Sequence, residues 1–279
     1  MQISTFLTRL EAKGYCSFTF PQVKEALGVS DAAIRAALRR LKEKGELSQP
    51  LSGFYIIVPP EYRILECRPA DHFIFDLMRH IKASYYIGLL SAAQYYGAAH
   101  HRPQQFQVIT NQKRRSITCG RIKIVFITKK NSDCTPTQNF NTSQGIVRVS
   151  SPEATAIDMV TYPDHCGGLD NVLTVLMDLV KKLERNKLVH LASTINKATE
   201  IQRLGYLLDL IKANDLSDGL FQLLKNRRVR SRLLVASPQK SLTLKKFSIK
   251  LEKDKKLFSR EVKNNKWKLI INKKLDLEK

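Results

Sequence analysis

Along residues 29–47, VSDAAIRAALRRLKEKGEL, apolar positions recur at helical spacing. Ile34, Ala37, Leu38 and Leu41 fall at i, i+3, i+4 and i+7, which is one face of a helix. Ser30 is placed to cap its start, and Asp31 suits a first turn where the helix dipole favours negative charge. Gly45 predicts its end. Two shorter helices precede it. Ile3, Phe6, Leu7 and Leu10 mark the first, which stops at Gly14. Phe20-Pro21 opens the second, with Pro in the tolerated first turn, and Val23, Ala26 and Leu27 line it. Gly28 turns the chain into the third helix. ELSQPLSGFYIIV (46–58) then reads as a short strand, a Pro-Ser-Gly turn and a β-branched, aromatic strand. Helix, helix, Gly turn, helix and hairpin is the order of a winged helix-turn-helix. VPPEYR (58–63) closes the unit, because two prolines cannot continue a strand pairing.

The pattern changes beyond residue 63. DHFIFDLMRHI and YYIGLLSAAQYYGAA predict helix over 71–98. QQFQVIT (104–110) predicts a strand, RSITCGRIKIVFIT two strands about a Cys-Gly turn, and GIVRVSS another. Pro152 starts a helix, PEATAIDMV, which the Pro163–Gly168 stretch breaks. LDNVLTVLMDLVKKL (169–183), TEIQRLGYLLDLI (199–211) and GLFQLLK (219–225) are further helices. SLTLKKFSIKLEKD and WKLIIN read as strands in the tail. The expected class is α+β: an N-terminal winged helix-turn-helix (1–63) and a mixed α+β C-terminal domain (64–279) with a small sheet among helices. The latter includes a basic, strand-rich tail (225–279).

Charge sharpens the picture. The chain carries 47 Lys and Arg against 25 Asp and Glu, a net +22, which favours a polyanionic partner. Residues 225–279 hold +14 of that and residues 1–63 only +3, so the N-terminal unit depends on placement rather than bulk charge. At about 100° per residue, Ala32, Arg35, Ala36, Arg39 and Arg40 point away from the apolar stripe of the third helix. A lone helix with such a face is usually just solvated. Inside a winged-helix pattern it is the face that enters the major groove, where small residues permit close approach and arginines reach phosphate and guanine. Ser30 would add a hydroxyl near phosphate, and Gln49, Ser52 and Gly53 sit at the wing tip. These nine residues are the expected contacts to double-stranded DNA.

No catalytic constellation accompanies them. P-loop, GxGxxG, GxSxG and HExxH patterns are absent from the sequence. His100 and His101 are adjacent, so their side chains diverge and do not suggest a shared metal. Glu153 and Asp158 lie about 140° apart on a helix and would not act as an acid pair. Glu153 reads instead as a first-turn acid. Gly167-Gly168 reads as a turn between helices. Tyr85, Tyr86, Tyr95 and Tyr96 read as packing residues rather than a base-stacking platform. The five cysteines show no CxxC spacing and read as buried or idle thiols. No cofactor or metal is expected. No signal peptide or apolar run of about 18 residues is visible, so the expected location is the cytoplasm.

Several strings in fixed order carry a resemblance: GFYIIVPPEYR, YYIGLLSAAQYYGAAHHRPQQFQVIT, VRVSSPEATAIDMV, CGGLDNV, QRLGYLLD, and a terminal W-x-L-x-x-N at Trp267, Leu269 and Asn272. Together, from about residue 20 to residue 272, they resemble the AbiEi antitoxin family, also described as transcriptional regulators of viral defence systems. The resemblance implies an antitoxin of a bacterial abortive-infection pair, with a nucleotidyltransferase-like toxin encoded beside it. It implies a winged helix that binds repeats in the operon promoter and represses it, and a C-terminal region needed for neutralisation. In the type IV arrangement neutralisation requires no stable complex with the toxin. The very basic tail departs from that family picture. The expectation is therefore a non-enzymatic, DNA-binding antitoxin and autorepressor. A nuclease built from the middle domain and a winged-helix protein-interaction module are the competing readings, since fold alone does not decide function.

Overall fold

The first helix, α1 (Ile3–Ala12), buries Phe6 and Leu7 and packs Ile3 and Leu10 against the same core. It leads through a three-residue strand, β1 (Ser17–Thr19), into α2 (Phe20–Leu27). The Thr19 backbone N–H donates to Gln22 Oε1 at 2.7 Å, satisfying a donor at the helix start. Gly28 then takes a left-handed conformation, φ 64°, that ends α2 and aims the chain into α3 (Asp31–Glu43). The hairpin comes next as β2 (Leu47–Leu51) and β3 (Phe54–Ile57), turning at Gly53 with φ 74°. The register of the hairpin shifts between Ser48 and Leu51, where Pro50 has no N–H for the ladder. The three strands form an antiparallel sheet in the order β1-β3-β2. Its core gathers Phe6, Leu7, Phe18, Val23, Ile34, Leu38, Leu47, Tyr55 and Ile57. Phe18 stacks on Tyr55 at 5.4 Å and meets Phe6 edge-on at 5.5 Å.

The computed structural model describes residues 2–99, 104–195, 197–225, 227, 229–235 and 262–275. The chain forms two compact units, one of residues 1–95 with 101–151, the other of residues 96–100 with 152–279. The first therefore contains the N-terminal module and the segment beyond Pro59-Pro60. There a 3-10 turn (Pro60–Leu65) leads to α4 (Ala70–Ile81), β4 (Tyr85–Ile87) and α5 (Leu89–Tyr95). Then come β5 (Phe106–Thr110), β6 (Ile117–Cys119), β7 (Ile122–Thr128), β8 (Thr137–Thr142) and β9 (Gly145–Ser150). These strands make a mixed six-stranded sheet, β6-β7-β5-β4-β9-β8. Helical spacing misread the YYI string. Lys82 leaves the helix with φ 56°, and Tyr85, Tyr86 and Ile87 pair with Thr110, Ile109 and Val108. The three aromatic and β-branched residues are a buried central strand, which periodicity alone does not separate from a buried helix. Tyr85 and Tyr86 are buried there as packing residues.

The second unit is helical. α6 (Pro152–Thr161) is buried along almost its whole length, the polar Glu153, Thr155 and Asp158 included. Packed with it are α7 (Leu169–Leu179), α8 (Arg185–Thr194) and α9 (Ala198–Leu210), and α10 (Asn214–Lys225) covers α8 and α9. α8 has a weak apolar stripe and no sequence signal predicted it. Gly167 and Gly168 form the expected turn, with φ 78° and 94°. A small sheet, β10 (Arg232–Leu233), β11 (Val262–Asn264) and β12 (Leu269–Ile271), is ordered β10-β12-β11. The SLTLKKFSIKLEKD strand expectation lies outside the described residues. The class is α+β with small sheets among helices, as the sequence implied.

Candidate nucleic-acid interface

The α3 stripe faces inward: Ile34 and Leu38 are fully buried in the N-terminal core. That fixes the rotation of the helix. Ala32, Arg35, Ala36, Arg39 and Arg40 are consequently all exposed on its outer surface. Ser30 caps the helix, its Oγ accepting from the Ala33 N–H at 3.4 Å. Asp31 in the first turn pairs with Lys24 of α2 at 2.9 Å, joining the two helices at their corner.

The three arginines are held differently. Arg35 lies over the Phe20 ring, 4.7 Å from its centroid, which ties α3 to the start of α2. Its charge also reaches Tyr55, whose hydroxyl is raised above its ordinary pKa by burial, with Arg35 opposing. Arg40 folds back, its Nε donating to Ala36 O at 3.4 Å. Arg39 is the freest, 78% exposed, with only a loose 3.6 Å contact to Glu43.

The residues of the β2–β3 hairpin meet this face unevenly. Gln49 accepts from Lys42 Nζ at 2.9 Å, which links the last turn of α3 to β2. Ser52 is exposed at the turn, and Gly53 O accepts from the Phe20 N–H at 2.9 Å. Lys42 and Lys24 are the cations that the sequence reading missed. Lys42 comes three residues after Arg39, a spacing that would have put it on the same side.

No second chemistry converges here. Among the described residues no group of three or more His, Cys, Asp or Glu is placed to hold a metal ion. His100 and His101 lie outside those residues. Glu153 is 3% exposed and accepts from the Glu184 N–H at 3.1 Å, a structural task at the start of α8. Cys16, Cys67, Cys119 and Cys166 are buried, and Cys134 is exposed. No helix among the described residues is long and apolar enough to cross a membrane.

Residues 86–210 match the family model of the AbiEi antitoxin C-terminal domain. The match supports an AbiEi-family antitoxin and bears out the resemblance read from the ordered strings. Antitoxins of this kind are not an enzyme family, and they imply a toxin partner. The crystal structure of the RV2827C protein from Mycobacterium tuberculosis is similar over 96% of this chain and 90% of that one, with a TM-score of 0.66 and 18% identity. At that identity the likeness concerns the fold. No curated protein matches the chain.

Proposed function

We propose that this chain is a DNA-binding antitoxin that represses its own operon and counteracts a nucleotidyltransferase-like toxin in the bacterial cytoplasm. The observation that carries the DNA-binding half is the capped α3, whose inner face is locked in the core and whose outer face offers Ala and Arg. The order α1-β1-α2-α3-β2-β3 supports a winged helix-turn-helix, in which the third helix is the one that reads DNA. Ala32 and Ala36 leave room for the groove floor. Arg35 and Arg39 extend toward guanine edges and phosphate, and Arg40 becomes available once its weak return bond to Ala36 O is exchanged. The Lys42–Gln49 link brings the wing alongside, toward the sugar-phosphate backbone. The toxin-directed half rests on the family match and the antitoxin role it carries.

The test is a binding titration on DNA upstream of the chain's own gene, against scrambled DNA, at two salt concentrations. Selective binding should weaken in the Arg35, Arg39, Arg40 triple Ala variant. Its log–log salt slope should flatten by about 0.9 per lost phosphate contact. An unchanged isotherm in that variant removes α3 from the interface. Equal binding to both DNAs that vanishes with salt removes the repressor reading.

A further inference from the structure

Two of the buried cysteines flank one close backbone contact. Cys67 lies just past the turn Pro60–Leu65 and Glu66, and Glu66 is held in the left-handed region at φ 55°. Cys119 ends β6, immediately before Gly120, which is also left-handed at φ 55°. The backbones touch beside the pair. Arg121 N–H donates to Leu65 O at 2.9 Å, and a Cβ on Gly120 would collide with Leu65 O and stand 2.7 Å from Glu66 Cβ. Only glycine fits there, so the close approach is built into the fold. It sets the buried side chains of Cys67 and Cys119, which flank this contact, close enough to act on each other's ionisation.

We infer that Cys67 and Cys119 form a redox pair that a peroxide converts reversibly into a disulfide. The two sulfurs divide the work. Cys119 is held toward its thiolate, at about 7, chiefly by the neighbouring Cys67 thiol; burial opposes this, and the Lys42 charge assists. Cys67 is pushed upward by the neighbouring Cys119 and by burial, so it keeps its proton. Cys119 is 6% exposed and Cys67 not at all, which leaves Cys119 as the sulfur a small oxidant reaches first. The Cys119 thiolate attacks one peroxide oxygen. An S–O bond forms, the O–O bond breaks, and hydroxide leaves to be protonated as water. Cys67 sulfur then attacks the sulfenic sulfur. The S–S bond forms, the S–O bond breaks, and the departing hydroxide takes the Cys67 proton. Two thiols and one peroxide thus give one disulfide and two waters. The other two buried cysteines are poorly placed for this. Cys16 donates to His72 O and is pushed up to about 11 chiefly by burial, and Cys166 is pushed to about 12 the same way.

The test treats the folded, reduced full chain with a few equivalents of hydrogen peroxide at pH 7. Free thiols are then alkylated after denaturation, and the digest is read by mass spectrometry without reduction. The expected result is a linked peptide pair containing Cys67 and Cys119, two hydrogens lighter than its parts, that dithiothreitol reverses. It should form about tenfold faster at pH 7 than at pH 5.5, tracking the Cys119 thiolate. In a Cys67→Ala variant with an unchanged circular dichroism spectrum, Cys119 should instead advance to the sulfinic acid. The inference is overturned if both thiols remain alkylatable, if linkage appears only in denatured protein, or if Cys119 pairs with a different cysteine.

Discussion

The indole N–H of Trp267 donates to Asp209 Oδ2 at 2.6 Å, fastening the β11–β12 hairpin to α9. Lys266 completes the clasp. Its Nζ meets Asp209 at 2.9 Å and Asp218 at 3.2 Å, and it lies over both the Trp267 and Phe221 rings. Gln202 Nε2 donates to Trp267 O at 2.7 Å, and Phe221 meets the indole edge-on. Burial pushes the Asp209 carboxyl up, but hydrogen bonds from Ser217, Trp267 and Lys266, with the Lys266 charge, together hold it below its ordinary value.

That depression makes the clasp sensitive to pH. A carboxylate with a lowered folded pKa contributes stability that is fully present above the unfolded value of about 3.9 and is lost as pH falls through the folded value. Trp267 is the only tryptophan, so fluorescence reports on the hairpin directly. Emission should be constant from pH 7 to about 5 and shift to the red on acidification below about 4. Asp209→Asn should remove the carboxylate's share of that dependence and move the transition. The same midpoint in both proteins would show that another group controls it.

Gly205 tests how tightly the indole is held. A Cβ built there would collide with Trp267 Cη2 and Cζ3, so the ring sits directly against the α9 backbone. Alanine is the better helix former by about 1 kcal/mol. Overpacking a filled site costs about 1–3 kcal/mol, and here the intruding atom meets a rigid ring rather than a flexible tip. Gly205→Ala should therefore lower Tm with a red-shifted emission. A raised Tm would mean that the indole moves aside freely.

The two outer arginines of α3 should separate stability from binding. Arg35→Ala loses the contact over Phe20, about 0.5–1 kcal/mol, and should lower Tm slightly as well as weaken DNA binding. Arg39 is mostly exposed and its pairing with Glu43 is loose, so Arg39→Ala should leave stability within about 0.5 kcal/mol. On the proposed reading it still weakens DNA binding. Paired melting and titration curves check this, and a Tm loss at Arg39 equal to that at Arg35 would contradict the assignment.

How far the sequence exposed these relationships depended on where each signal resides. The α3 stripe, the Ser30 cap, the Gly28 and Gly53 turns and the apolar helices α7 and α9 are local patterns, and each can be read in a short window. β1 has three residues and exists because β3 offers Tyr55 and Ile56 for pairing. β8 is polar, TQNFNT, and is a strand because it lies at the sheet edge against β9. The Lys42–Gln49 bond was within reach of spacing arguments. The meeting of Cys67 and Cys119 was not, because 51 residues separate them in the chain. Their scattered spacing correctly excluded a CxxC motif but carried no information about a long-range pair.

Arg68 illustrates the same limit and supplies a last expectation. It is 8% exposed, a charge count alone would place it at the surface, and its Nε donates to Ile57 O at 2.7 Å. Its guanidinium also lies 5.8 Å from the Tyr62 ring and 3.8 Å from Glu11 of α1. It thus binds the end of β3, the first helix and the turn after the N-terminal module into one contact. Arg68→Met keeps the length of the stem but removes the donor from a buried carbonyl, which costs about 1.5–3 kcal/mol for a hydrogen bond to a charged group. Tm should fall accordingly. The α3 face is not touched by this change, so at temperatures where the variant is folded its DNA affinity should equal that of the parent chain. A loss of affinity in fully folded Arg68→Met would show that this contact, and not only the α3 surface, sets the geometry of the interface.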